Sequence, residues 1–146
     1  MNFQISQAQF GVRPPVVKPI PEFLIEVGEE GIRDIISKHY DLLKDSEIAN
    51  LFPKTEEGLK QASKNASDFF IQICGGQPHF TTNRGAPRMV GRHAPFRIDA
   101  KARKVWLELF MPILKELQEQ GVTETSIRSF WGYLDIFSIW MINTQS

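Results

Sequence analysis

A glycine- and proline-rich stretch, residues 75–91, separates two segments with helical periodicity, and it most constrains how this chain folds. Four glycines (75, 76, 85 and 91) and two prolines (78 and 87) lie within it, so a long helix is not expected there, although a short helical turn fits directly before His93. Neighbouring helices in a bundle are usually joined by about two to eight residues. A connection this long predicts a functional loop, such as one that presents a side chain to a ligand.

The segments before this stretch repeat apolar residues every three or four positions, which predicts helices. GEEGIRDIISKHYDLLKD (28–45) places Ile32, Ile35, Ile36 and Leu43 on one stripe, and a short SEIANLFP segment follows and ends at Pro53. The next helix is predicted to stop at Gly75-Gly76. Its apolar stripe comprises Leu59, Ala62, Ala66, Phe69, Phe70 and Ile73.

Two further helices are predicted after the stretch. Asp99 is a suitable N-cap for AKARKVWLELFMPILKELQEQ, which Pro112 should kink without ending, because the apolar period continues towards Gly121. Its inner face is predicted to carry Ala102, Trp106, Leu109, Ile113 and Leu117. The last helix is predicted from Thr123 to Asn143, with Ile127, Phe130, Trp131, Leu134, Phe137 and Met141 inward. Since no segment alternates consistently with a period of two, the predicted fold class is all-α.

Residues 1–21 form a separate region with four prolines (14, 15, 19 and 21). Proline lacks an amide donor and disfavours helix in the residue before it, which predicts an extended N-terminal arm. Phe3, Phe10, Val16 and Val17 are candidates to pack this arm against the body. Residues 22–146 then form the helical domain.

Composition argues against several classes of protein. Lys plus Arg and Asp plus Glu both number 17, a balance unlike that of nucleic-acid-binding or polybasic membrane-surface proteins. The single cysteine, Cys74, is interpreted as a packing residue. No apolar run is long enough to predict a membrane span, and the first residues do not resemble a secretion signal, so the expected location is the cytoplasm.

His93 lies in the segment RHAPFRID (92–99) and is one of three histidines. From the residues alone, three roles remain open: a packed or surface histidine, a catalytic base, or a metal ligand. His39 shares the stripe of the first helix and is expected to be packed and bonded to backbone. His79 falls in the glycine- and proline-rich loop, where surface exposure is expected.

The region ICGGQPHFTTNRGAPRMVGRHAPFRIDAKARKVW (73–106) resembles the signature of the truncated haemoglobins, in particular their second group. The matching landmarks are the Gly-Gly pair that ends a helix, the loop with a short turn, the heptad RHAPFRI, and Trp106 thirteen residues after the histidine. Tyr40 and Leu51-Phe52-Pro53 match earlier landmarks of the family. The resemblance covers about residues 26 to 143 and implies a two-over-two helical sandwich of the bacterial globin type.

The resemblance also implies one b-type haem per chain, with His93 as the proximal ligand of the iron. Neutral imidazole is a suitable axial donor, and its other ring nitrogen should donate to a backbone carbonyl. Arg92 is the candidate partner of a haem propionate, and His79 is a second candidate for that contact. The remaining haem-binding residues implied are Phe52, Phe69, Phe96 and Trp106.

On the distal side, the resemblance implies that Tyr40 and Trp106 donate hydrogen bonds to a bound diatomic ligand. Ala62 and Ala66 complete the distal site. Many globins have glutamine or histidine in this region, so this chain should depend more on its tyrosine and tryptophan. His39, which stands where the family commonly has an aromatic residue, raises the question of coordination by two histidines.

The implied function is reversible binding, and possible transport, of dioxygen, with CO and NO as further ligands. The alternative is a redox enzyme on the same haem, such as an NO dioxygenase or a peroxidase-like protein, supplied with electrons by an external reductase. A third reading, a haem-free helical regulatory module, leaves the long loop before His93 unexplained.

Overall fold

The structure is a computed structural model that describes residues 1–145. The described chain contains helices and no strand, which confirms the predicted fold class. In chain order the helices are α1 (Pro21–Leu43), a 3₁₀ turn (Ala49–Leu51), α2 (Glu56–Ile73), α3 (His79–Arg84), α4 (Met89–His93), α5 (Ala100–Glu108), α6 (Met111–Glu119) and α7 (Glu124–Met141). Helix α1 packs mainly on α2, while α7 contacts α1, α4, α5 and α6, so two helical layers enclose the core.

Helix α1 begins earlier than the sequence predicted. Pro21 occupies the first turn, where its missing N–H leaves no hydrogen bond unmade, so the prolines of the arm do not prevent a helix from starting there. Gly28 interrupts the helix with a φ of 73° and a ψ of 170°. The added turns bury Phe23, whose ring stacks on Phe130 with 4.4 Å between centroids.

The predicted end of α2 is confirmed. Gly75 adopts a φ of +98°, and the amide of Gly76 donates to the carbonyl of Ile71 at 2.9 Å. A Cβ on Gly76 would lie 2.7 Å from Cγ2 of Ile71, so the chain passes too close to α2 for any side chain at this position. Both glycines of the pair are therefore required by the turn.

Pro112 was predicted to kink one long helix, but the structure has two separate helices there. The helix stops at Glu108 and restarts at Met111, because a proline amide cannot donate to the carbonyl four residues earlier. The predicted inner stripe is also wrong in part. The most deeply buried positions of this segment are Arg103, Leu107, Phe110 and Leu114, which lie one residue further along the chain than the predicted stripe. Ala102 and Trp106, two residues of the predicted stripe, line a cavity instead.

The last helix is close to its prediction. Thr123 is the N-cap of α7, and Ile127, Phe130 and Leu134 are fully buried in the core. Asp99 caps α5 as predicted, because its carboxylate accepts the amide of Ala102 at 2.8 Å. No helix within residues 1–145 has the length and apolar character needed to cross a membrane.

The N-terminal arm lies along α7. The ring of Phe3 packs on Trp131 with 5.0 Å between centroids, and Val16 contacts the core, as expected. Two indole N–H groups fix the arm: Trp131 donates to the carbonyl of Gln4 at 2.9 Å and Trp140 to that of Pro14 at 2.7 Å. Phe10 and Val17 were expected to pack but are 47% and 77% exposed.

A buried ion pair joins the arm, α5 and α7. Arg103 donates to the carboxylate of Asp135 at 2.6 Å and to the hydroxyl of Ser138 at 2.9 Å. From the arm, the carbonyl of Ser6 accepts from Arg103 at 3.0 Å, while the amide of Ser6 donates to Asp135 at 3.0 Å. The charges are therefore surrounded by hydrogen bonds, as buried charges require.

Candidate ligand-binding site

A mostly apolar cavity of about 410 Å³ lies between the two layers. This volume is within the range of small-molecule and cofactor sites, roughly 300–1,000 Å³. Helices α1, α2, α4, α5 and α7 all contribute to its walls. The structure brings together nine of the ten residues that the sequence singled out: Tyr40, Phe52, Ala62, Ala66, Phe69, Arg92, His93, Phe96 and Trp106.

His79 is the exception. It does not line the cavity; its Nε2 lies 2.8 Å from Oε1 of Glu29, on the outer side of α1 and α3. Glu29 is fifty residues earlier in the sequence, so nothing local indicated the pairing. His79 is partly exposed, as expected, and its partner in this structure is Glu29.

His93 is the last residue of α4, and its ring is fixed by its own helix. Nδ1 lies 2.7 Å from the carbonyl oxygen of Met89, one turn earlier. Because a carbonyl only accepts, Nδ1 carries the proton, and Nε2 keeps its lone pair without a partner within residues 1–145. Burial lowers the pKa of His93, against the opposite effect of that hydrogen bond, so the ring is neutral near pH 7.

The chain on both sides of His93 is held by two residues. Asn143 donates to the carbonyls of His93 at 3.1 Å and Phe96 at 2.8 Å, which ties the end of α4 to the residues after α7. Arg92 donates to the carbonyls of Pro87 at 2.7 Å, Arg84 at 2.9 Å and Ala86 at 3.1 Å. Three of its five N–H groups thus bind the preceding loop, an arrangement that the sequence did not predict. Nor did the sequence indicate Asn143, which contacts His93 only through the tertiary fold.

Tyr40 and Trp106 each carry a hydrogen-bond donor that has no protein acceptor. Neither the hydroxyl of Tyr40 nor the indole N–H of Trp106 bonds to a group within residues 1–145, and both side chains line the cavity. Since every fully enclosed side-chain nitrogen or oxygen of these residues has a hydrogen-bond partner, both atoms are accessible from open space. Burial raises the pKa of Tyr40 to about 12, so the phenol stays protonated. The other two tryptophans, 131 and 140, both donate to arm carbonyls. Trp106 therefore differs from them in having its N–H available to a ligand.

His39 lies beside Tyr40 and Trp106, but its own donor is already paired with a backbone carbonyl. It is 1% exposed, its ring stacks on Phe110 with 3.6 Å between centroids, and its Nε2 lies 2.9 Å from the carbonyl oxygen of Trp106. The expectation of a packed histidine bonded to backbone is confirmed. Its Nε2 lone pair is not free for a metal, because the atom must carry the proton that the carbonyl accepts.

Most of the remaining cavity wall is apolar, although Asn65, Arg84 and Arg103 also line it. Ala62 and Ala66 on α2 contribute methyl groups, and Phe69 on the same helix is buried. Phe52 meets the ring of Tyr40 edge-on at 5.7 Å, and Phe96 is partly exposed at the cavity mouth. Within residues 1–145, no group of three or more His, Cys, Asp or Glu side chains is arranged to hold a metal ion. The site thus offers one open imidazole nitrogen, the open donors of Tyr40 and Trp106, and a largely apolar enclosure.

Comparison with known proteins gives consistent results. The family model described as bacterial-like globin matches residues 26–143. The group 2 truncated hemoglobin YjbI of Bacillus subtilis (strain 168) is 26% identical over 118 residues, which cover 80% of this chain and 85% of that protein. The crystal structure of phosphate-bound Hell's gate globin IV covers 98% of this chain and 88% of its own, with a TM-score of 0.86 and 35% identity. Hemoglobin from Chloroflexus aurantiacus is 28% identical, with a TM-score of 0.72 and coverage of 89% and 99%.

Proposed function

This chain belongs to the bacterial-like globin family, and from that premise we propose that it binds one b-type haem through His93 and holds small diatomic ligands reversibly. The residues that line the cavity fit such a group: one neutral imidazole with an open nitrogen, a largely apolar enclosure, and the arginines Arg84 and Arg92 as partners for acidic groups. When bound, a haem would supply ferrous iron, to which small diatomic molecules such as dioxygen, CO and NO bind reversibly.

The open Nε2 of His93 is the observation that carries this proposal. A proximal histidine must coordinate as a neutral imidazole, and its other ring nitrogen fixes the tautomer and the orientation of the ring. The bond from Nδ1 to the Met89 carbonyl provides both the tautomer and the orientation, and Asn143 holds the following residues. His93 is therefore prepared for coordination before any ligand arrives.

Tyr40 and Trp106 give the cavity its preference for polar ligands. Each offers a donor without a protein acceptor, in a pocket whose other walls are largely hydrocarbon. Hydrogen bonds to a ligand with negative charge are stronger in such surroundings than in water. Dioxygen should gain more from these hydrogen bonds than CO, which is less polar when bound.

Arg92 lines the cavity and would be the partner of a haem propionate, since its Nη1 forms no hydrogen bond within residues 1–145. Its other three N–H groups hold the loop that precedes α4. The same residue would then fix the loop and meet a propionate. Ala62 and Ala66 leave space beside the donors, so a small ligand should enter without displacing a bulky side chain.

We assign the globin domain to residues 22–146 and treat residues 1–21 as an arm attached to it. The family match to residues 26–143 supports this division. The arm covers α7 through the bonds to Trp131 and Trp140 and does not contribute a wall of the cavity.

Visible absorption spectra of the purified protein test the proposal: ferric, then reduced with dithionite, then exposed to CO. We expect an intense Soret band that sharpens and shifts with CO, at one haem per chain in a hemin titration. A protein that shows no Soret band, even with added hemin, would refute the proposal. Low-spin ferrous bands before CO would contradict the open distal position.

A further inference from the structure

The break between α5 and α6 leaves the backbone carbonyl of Trp106 without its helical partner. In an unbroken helix, the carbonyl of Trp106 would accept the amide of Phe110, four residues later. Here the amide of Phe110 donates instead to Leu107 at 3.0 Å. The carbonyl of Trp106 is therefore open at the turn that also carries the indole donor.

His39 supplies the missing hydrogen bond from another helix. Its Nε2 lies 2.9 Å from that carbonyl, and the sequence separation is 67 residues. The imidazole is held on both sides, because Phe110 stacks on it and the indole of Trp106 meets it edge-on at 5.3 Å between centroids. The ring of His39 is thus fixed by one hydrogen bond and by two aromatic contacts.

His39 directly precedes Tyr40 in α1, so it connects the helix that carries the Tyr40 hydroxyl with the residue that carries the indole donor, Trp106. We infer that His39 is a positioning residue, which holds the last turn of α5 against α1 and thereby sets where the Trp106 indole N–H points relative to the Tyr40 hydroxyl. His39 acts through Trp106 and does not contact the ligand with Nε2. The effect on ligands rests on the proposed function, whereas the effect on the indole does not.

The first test observes the indole groups by ¹H–¹⁵N NMR, in the protein with and without haem. The three tryptophans give three indole signals, and Trp106→Phe identifies one of them. His39→Phe keeps an aromatic ring for Phe110 to stack on but removes the donor. It should shift the Trp106 signal and leave those of Trp131 and Trp140, which bond to the arm, in place. An unmoved Trp106 signal would overturn the inference, whatever the chain binds.

The second test is a double-mutant cycle on dioxygen release. His39→Phe should raise the off-rate about two- to tenfold, the range expected for one net hydrogen bond, and should add nothing further in Trp106→Phe. His39→Gln retains an amide donor and should stay near the wild-type rate and indole shift. The inference is wrong if His39→Phe has the same effect with and without Trp106, or if His39→Gln behaves like His39→Phe. Failure to bind haem would refute the proposed function and leave the NMR test intact.

Discussion

Nδ1 of His93 lies 2.7 Å from the carbonyl oxygen of Met89, one turn earlier in the same five-residue helix. A helix this short is not stable by itself, since nucleation is costly and few hydrogen bonds follow. Side chains from elsewhere hold it: Arg92 binds the preceding loop, and Asn143 binds the carbonyls that follow. The orientation of the imidazole is thus a property of the whole fold.

Removal of the open donors should accelerate ligand release. Tyr40→Phe and Trp106→Phe each delete one donor while retaining the ring, so the cavity keeps its shape. Hydrogen bonds to charged groups contribute about 1.5–3 kcal/mol, which predicts a dioxygen off-rate about ten to a hundred times higher for the dominant donor. Stopped-flow measurement of dioxygen and CO release tests this, with CO expected to change less. Unaltered off-rates in both variants would show that the distal assignment is wrong.

Loss of one charge of the buried ion pair should strongly destabilise the fold. Asp135→Asn leaves the guanidinium of Arg103 without its counter-ion, and breaking such a pair typically costs about 3–5 kcal/mol. Glu124→Gln is the matched control, because it breaks the exposed pair with Arg128 in the same helix and should cost about 0–1 kcal/mol. Urea unfolding measures both. Similar free energies of unfolding for the two variants would argue against the structural importance of the buried pair.

Stability should depend on pH through His39. Burial lowers the pKa of His39 from 6.5 to about 3, more than the hydrogen bond to Trp106 raises it. Because the folded-state pKa is the lower one, protonation favours the unfolded chain, and stability should fall as the pH drops from about 6.5 towards 3. His39→Gln removes the titrating group and should flatten this part of the profile. Urea unfolding of the wild type and of His39→Gln at several pH values measures this difference. If the free energy of unfolding falls equally in both proteins between pH 6.5 and 3, His39 is not the cause.

The sequence predicted those features that depend on local chemistry. The end of α2 at Gly75-Gly76 needs a positive φ, which glycine adopts readily. The cap at Asp99 needs a carboxylate directly before a helical pattern. Both requirements can be recognised from the residue types alone. The start of α1 at Pro21 was not predicted, because a proline can be interpreted in two ways. It disfavours helix in the residue before it, but it also fits the first turn of a helix.

Features that depend on distant residues were not predictable from one sequence. His79 pairs with Glu29, His39 bonds to the Trp106 carbonyl, and Arg92 turns towards its own loop. In each case the partner is set by the packing of two elements or by a backbone group without a side-chain signature. The residues around the cavity were identified through their resemblance to a family, whereas their hydrogen-bond partners required the fold.

The most direct test of the account is the absorption spectrum of His93→Gly beside the wild type, in buffer free of imidazole. The glycine variant should lose haem or its normal axial ligation, and added imidazole should restore a wild-type-like ferrous and CO spectrum by occupying the vacated position. An unchanged spectrum of His93→Gly without imidazole would contradict the assignment of His93 as the proximal ligand.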